Sequence, residues 1–348
     1  MIYLLDRILV TLDGSRMAAE WRLTMIVKYD SKYDAEIIDL WNRAAVWDGY
    51  KELDANSFKD IFSKNRYFKQ ANTFVLDIDG VKGFACGCTG DELPLGDKSG
   101  YITCIVLDSE YENQENFRLL LEQLEASFLR QGKKQAEVLF FNPMLLPWYI
   151  PGTLGHEHNN APGAFAGSFF HKGLLGNGYA ERTRECAMYL ELSQFIMPES
   201  ILEKETKAKA AGYEVALFDS SKHTGIEEML LSFDNILWQK EISECTRQGI
   251  PVVIAALDGR AVGFAGPVIR QESGRGYFAG IGVSPEHEGH GLGSILFFKL
   301  CEAFIKVRAD YMSLYTGIEN PAINIYKKAG FKEVREFAVM RKEWRQEG

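Results

Sequence analysis

Residues 280–298 read GIGVSPEHEGHGLGSILFF, and their pattern decides the fold. Gly280, Ile281, Gly282 and Val283 close a strand-like run. A loop carrying Gly289, Gly291 and Gly293 follows. From about residue 292 to 307, Leu292, Ile295, Leu296, Cys301, Phe304 and Ile305 recur at helical spacing. The order is therefore strand, glycine-rich loop, helix. Glycines let the backbone wrap closely around a ligand. The free N–H groups at the helix start converge on one spot, and the helix dipole adds positive potential. Such a cradle suits a pyrophosphate.

Two nucleotide folds compete for a loop of this kind. A Walker loop needs a Gly-Lys-Ser/Thr ending, and no such lysine is present. A dinucleotide fold places its glycine turn in the first strand–helix unit of a parallel sheet. Here the turn comes after a run of hairpin signals. Residues 212–218 alternate like a strand. Residues 224–232 and 238–248 have helical character. The apolar run 251–257 turns at Asp258-Gly259 into a partner strand over 261–269. Beyond the loop, 311–316 reads as a strand, 321–328 as a helix and 334–341 as a last strand.

With those elements in place, the motif Val283-x-Pro285-x-x-Glu288-Gly289-x-Gly291-x-Gly293 resembles the acetyl-CoA signature of the GNAT N-acetyltransferase superfamily. Some forty residues on, 319–331 (ENPAINIYKKAGF) is similar to that superfamily's second motif, with its alanine, tyrosine and closing Gly-Phe. The resemblance covers roughly residues 210–345. It implies an α+β (α/β) fold, with a mixed, mostly antiparallel sheet flanked by helices. It implies acetyl-CoA as acyl donor and no metal. Ile281, Gly282 and Val283 would bond the pantetheine arm like an added strand. The amides of Glu288, Gly289, His290, Gly291, Leu292, Gly293 and Ser294 would hold the pyrophosphate. Asn320 and Asn324 would add cofactor contacts, and Tyr326 would protonate the departing thiolate. One residue departs from the pattern: Glu288 stands where the family usually has Arg or Gln, and a carboxylate near a pyrophosphate is unfavourable unless it turns away. No carboxylate stands in 277–283, so Glu319, His287 and a chain of water are the candidate bases for the acceptor amine. Gly280 and Gly282 suggest room for an acyl group larger than acetyl.

The first half runs through a similar order of elements. Helical segments over 35–45 and 57–63 precede a hairpin, 73–77 with 81–88, around Asp79-Gly80. A strand at 101–107, an amphipathic helix at 117–129 and strands at 137–141 and 188–192 follow. An internal duplication accounts for this. An offset of roughly 176, which matches Leu107 to Val283, sets Glu112 on Glu288, Asn113 on Gly289, Glu115 on Gly291 and Phe117 on Gly293. Phe170 then falls near Tyr326. The glycines and the tyrosine are gone, so the first half reads as a GNAT-like copy without catalytic capacity. Relative to the second half it carries an insertion, residues 142–163, containing Trp148, Tyr149, His156 and His158. Long irregular insertions often carry function, and this one could lean over the cleft. The expected organisation is a leader over 1–25, the degenerate domain over 26–197, a helical linker over 198–211 and the catalytic domain over 212–348.

Composition agrees with an ordinary globular chain. It has 348 residues, 46% hydrophobic and 25% charged. Lys plus Arg is 39 against 48 for Asp plus Glu, a net charge of −9. An acidic chain without a basic, aromatic-laced patch is not built for nucleic acid. The apolar start over 1–25 is too short and too charged for a membrane span and lacks the pattern of a signal peptide. The six cysteines form no CxxC pair and read as buried thiols of a cytoplasmic protein. His156-Glu157-His158 matches no standard metal spacing. The expected activity is acetyl transfer to an amine, on a small molecule. Protein or peptide N-acetylation and a non-catalytic acyl-CoA sensor are the alternatives. A monomer or a homodimer would serve.

Overall fold

The computed structural model describes residues 25–344. The leader expected over 1–25 therefore lies, but for Met25, outside the described residues. By packing, the chain divides into two compact units. One holds residues up to 149, 159–185 and from 336 on; the other holds 150–158 and 186–335. Each unit thus takes in a strand segment from the other half of the chain.

In the first unit, Ile26–Lys28, Thr73–Asp77, Val81–Cys88 and Ser99–Leu107 form consecutive antiparallel pairs. Gln135–Val138 then runs parallel to the start of Ser99–Leu107, pairing Ser99 with Gln135 and Tyr101 with Glu137. Residues 340–343 lie antiparallel on its other side. Helix Gln114–Arg130 buries Phe117, Leu120, Leu121, Leu124 and Phe128 against this sheet.

In the second unit, Tyr213–Leu217, Val253–Leu257, Arg260–Gly266 and Gly280–Val283 make a four-stranded antiparallel sheet. The hairpin turn is the one expected from Asp-Gly: Asp258 and Gly259 have φ of 50° and 77°, the left-handed pair that matches strand twist. Arg275–Tyr277 belongs elsewhere. It runs parallel to Tyr311–Gly317, with Arg275 opposite Tyr311 and Gly276 opposite Met312. Residues 186–191 flank Tyr311–Gly317 on its other side. Helix Leu292–Lys306 packs beneath, its Ile295, Leu296, Phe297, Phe298, Leu300, Cys301 and Phe304 forming the middle of the unit's core. Among the described residues, no helix is long and apolar enough to cross a membrane.

Candidate active site

The strand-like run that closes at Val283, expected over 276–283, begins at Arg275 and serves two sheets. Its first part pairs with Tyr311–Gly317 and its last part with Arg260–Gly266, where Gly280 lies opposite Gly266 and Val283 opposite Gly263. It changes sheets at Phe278 and Ala279. From there Gly280–Val283 is the edge of its sheet, with main-chain groups on its outer side open to an extended ligand. Trp238 pins the crossing: its Nε1 donates to the Ala279 carbonyl at 3.0 Å. A Cβ at Gly280 would overlap the Trp238 ring, and one at Gly282 the Phe233 ring. The expectation that these glycines leave room for a larger acyl group is corrected here: two aromatic side chains already occupy that face.

A 3-10 turn, Pro285–His287, leads from the strand end into the glycine loop. Gly289 and Gly291 adopt φ of 83° and 73°, which L side chains enter only at a cost. Gly291 is the helix N-cap, and with no side chain it caps nothing. The first helical bond there is Ile295 N–H to the Gly291 carbonyl, 3.2 Å. Among the described residues the amides of Leu292, Gly293 and Ser294 have no acceptor. Space above Gly289 is open. Lys204, on helix Glu199–Ala210, reaches the same spot: its Nζ lies 3.3 Å from Ser294 Oγ and its stem lies beside Gly291. Lys204 thus belongs to the segment 198–211, the helical linker expected from sequence. Glu288 is exposed, as is His290, whose ring packs 4.9 Å from that of Tyr213.

The remaining candidates are dispersed. His287 Nδ1 is hydrogen-bonded to the Tyr213 hydroxyl at 3.0 Å. Glu319 and Asn324 are exposed, and Asn320 Oδ1 accepts from the Ala322 amide at 2.9 Å as a local cap. Tyr326 sits on helix Ile323–Lys328 with its ring edge-on to Phe297 at 4.8 Å. Burial raises its pKa, and among the described residues its hydroxyl has no partner. Sequence reading missed Glu241, whose Oε1 accepts from the Tyr277 hydroxyl at 2.7 Å just before the strand changes sheets. Burial, then this hydrogen bond, raise the Tyr277 pKa. Among the described residues no cluster of three or more His, Cys, Asp or Glu is placed to hold a metal.

The region of the first unit that the offset of 176 sets against this site is closed. Strand Ser99–Leu107 also parts from its parallel neighbour, after Tyr101. Residues 142–146 of the insertion fill the gap. Asn142 Nδ2 donates to Thr103 Oγ1 at 3.0 Å, and Met144 and Leu146 are buried. A cavity of about 20 Å³ is left between Ile102, Val138 and Met144, room for about one water. The later part of the insertion belongs to the second unit, where His156 stacks on Tyr311 at 4.0 Å and His158 meets Tyr315 and the buried Arg275.

The structure also adjusts the match between halves. The strand ends, Leu107 and Val283, agree with the offset of 176. The helix N-caps, Asn113 and Gly291, do not, because the first loop is two residues shorter. Glu115 therefore matches Gly293 rather than Gly291. Asn113 supplies its own cap, accepting from the Asn116 amide at 2.9 Å. At the second motif, Tyr179 N–H bonds to the Leu174 carbonyl just as Phe331 N–H bonds to the Tyr326 carbonyl. Leu174, not Phe170, stands opposite Tyr326.

Residues 217–331 match the model of the acetyltransferase (GNAT) family. Among solved structures the chain resembles a GCN5-related N-acetyltransferase from Sphaerobacter thermophilus, at 14% identity over 91% of this chain and 95% of that one, with a TM-score of 0.59. It also resembles a tandem GNAT protein from the clavulanic acid biosynthesis pathway, at 15% identity over 91% and 98% of the two chains, TM-score 0.54. A third likeness is to a fungal multi-domain GH3 β-N-acetylglucosaminidase described as having a GCN5-related glucosamine N-acetyltransferase region. There the identity is 13% and the TM-score 0.61, over 91% of this chain but only 38% of that protein's length. At these identities the likeness is one of fold. No curated protein matches the chain in sequence. The chain carries a domain of the acetyltransferase (GNAT) family across residues 217–331, within the fold of GNAT proteins. Acyl transfer is the general chemistry of that family.

Proposed function

We propose that the protein is an acyl-CoA-dependent N-acyltransferase that moves an acetyl group from acetyl-CoA to an amine on a small molecule, using the second unit alone. The observation that carries this reading is the strand that changes sheets at 278–279 and runs, one side open, into a loop whose helix-start amides have no acceptor among the described residues. The pyrophosphate lies on the amides of Leu292, Gly293 and Ser294, with the Lys204 ammonium beside it offsetting Glu288. The pantetheine arm runs back along Val283, Gly282 and Ile281, pairing with main-chain groups. Four residues of strand span about 13 Å, so the thioester reaches the crossing near Ala279. Trp238 and Phe233, packed on Gly280 and Gly282, favour a small acyl group.

The neutral amine attacks the thioester carbon; the new N–C bond forms and the C–S bond breaks. Tyr326 gives its proton to the sulfur and regains one from solvent. A phenol is protonated at neutral pH, the state a proton donor needs, and burial pushes this one further that way. In the first unit the plug at 142–146, the self-capped helix and Leu174 oppose each of these roles, which supports reading it as a non-catalytic copy. The test is thiol release from acetyl-CoA across a panel of primary amines. Turnover with one of them supports the reading; tight acetyl-CoA binding without turnover of any would make the protein a sensor.

A further inference from the structure

The sequence places no carboxylate on the strand that holds the thioester, and neither candidate base serves. His287 is engaged by Tyr213. Glu319 lies beyond the far end of Tyr311–Gly317, about 15 Å along that strand from the crossing, which falls opposite Leu314 and Tyr315. Glu241 is differently placed. Helix Ile236–Arg247 is tied to the crossing by the bond from Trp238 to Ala279, and Glu241 follows one turn later. Tyr277, the last residue before the strand changes sheets, holds the Glu241 carboxylate at 2.7 Å.

The faces also agree. A Cβ on Gly276 would meet Phe304, and Phe278 packs on Phe297, both from helix Leu292–Lys306. Side chains alternate along a strand. Tyr277 and Glu241 therefore stand on the face opposite the helix whose amides take the pyrophosphate. A thioester lying in the gap has its donor on one side and this carboxylate on the other. Glu241 is only partly buried, and among the described residues its Oε2 has no hydrogen-bond partner.

Resting on the function proposed above, we infer that Glu241 is the general base for the acceptor, and that the acceptor is a protonated primary amine which this carboxylate first binds. The ammonium gives one proton to Glu241, which passes it to solvent. As nitrogen bonds to the carbonyl carbon, the C–S bond breaks, and the sulfur takes its proton from Tyr326. The second proton leaving nitrogen restores Tyr326 through solvent. Tyr277 is a positioning residue: it orients the carboxylate without touching the acceptor. The charged and titratable groups around the pair are Arg275 beside Tyr277, and Cys245 and Glu244 on the carboxylate's own helix.

The test compares wild type, Glu241→Gln, Glu241→Asp and Tyr277→Phe. Acetyl-CoA binding is followed by calorimetry. Thiol release is followed from about pH 6 to 10 with spermidine, glucosamine and ethylamine as acceptor probes, a range that stays below the titration of a free alkyl amine at about 10.4. Glu241→Gln should bind acetyl-CoA like wild type yet lose about 100-fold or more in kcat/KM. Its rate should then climb about tenfold per pH unit, because only amine already neutral reacts. Glu241→Asp should recover part of the rate, and Tyr277→Phe should lose about tenfold in kcat at unchanged acetyl-CoA affinity. Wild-type rate and pH profile in Glu241→Gln would overturn the inference. So would a wild type that binds acetyl-CoA but turns over none of the three amines. A wild type that fails to bind acetyl-CoA would instead overturn the cofactor site, and this inference with it.

Discussion

Gly293→Glu separates the fold from the binding chemistry, because the two should move in opposite directions. The substitution writes into the second unit the residue that the first carries at the matching position, Glu115. A Cβ at Gly293 would meet Val283 Cγ2 at 4.0 Å, an ordinary contact, and the position is in the first turn of helix Leu292–Lys306. Replacing glycine by glutamate there gains about 0.5 kcal/mol of helix propensity. A carboxylate in the first turn gains about 0.5 kcal/mol more from the helix dipole. The sum of ~1 kcal/mol corresponds to a rise in Tm of roughly 2–4 °C for a unit of this size. Binding should suffer. A carboxylate ~4 Å from a phosphate charge costs between about 1 kcal/mol in bulk water and about 4 kcal/mol at an effective dielectric of ~20. The pyrophosphate presents two charges and the site is partly enclosed, so acetyl-CoA affinity should fall about 100-fold or more. Thermal melting and calorimetric titration on the same preparation read both numbers. A variant that melts higher and still binds acetyl-CoA like wild type would show that no anion sits on this helix, and the reasoning fails. A variant that melts several degrees lower would show that the first turn is not as described.

The other substitutions address one group each. Tyr326→Phe removes a hydroxyl with no partner among the described residues, so stability should change by less than about 0.5 kcal/mol while turnover drops about 100-fold with little change in acetyl-CoA affinity; equal loss of both would mark Tyr326 as a packing residue. Met144→Ala hollows the plug in the first unit and should cost about 2–4 kcal/mol in urea unfolding without adding a second acetyl-CoA site, since the glycine loop is still missing; a cost near zero would mean the gap is not filled as described. All six cysteines are buried, and burial pushes Cys86 up to about 12 and Cys88 and Cys104 well above the usual thiol range. Native protein should therefore stay silent toward a thiol reagent at pH 8 and report its thiols only on unfolding, which also keeps the thiol-release assay clean; fast labelling of the native chain would contradict the packing.

Local pattern made much of the second unit legible before any coordinates. The Asp258-Gly259 turn, the glycine loop and the apolar spacing of Leu292–Lys306 are each written within a few residues. The crossing at 278–279 was not, because 276–283 is one continuous β-pattern and only its partners differ: Tyr311–Gly317 for the first part and Arg260–Gly266 for the last. The same limit hid Glu241, which is 36 residues in sequence from the tyrosine that holds it, and Lys204, which reads as one more charge on a polar helix. The offset of 176 fits the strand ends, Leu107 and Val283, but not the helix starts, since a two-residue difference in loop length leaves no mark in a loop without glycine. The insertion at 142–163 showed its irregularity but not its roles. Its first residues fill the gap in the first unit, while His156 and His158 join the second.

The most direct test of the central claim is the stoichiometry of acetyl-CoA binding to the full chain by isothermal titration calorimetry. The account predicts one site per chain with micromolar affinity, supplied by the second unit. Two sites of similar affinity would contradict the closed state of the first unit, and no binding at all would contradict the assignment of the glycine loop.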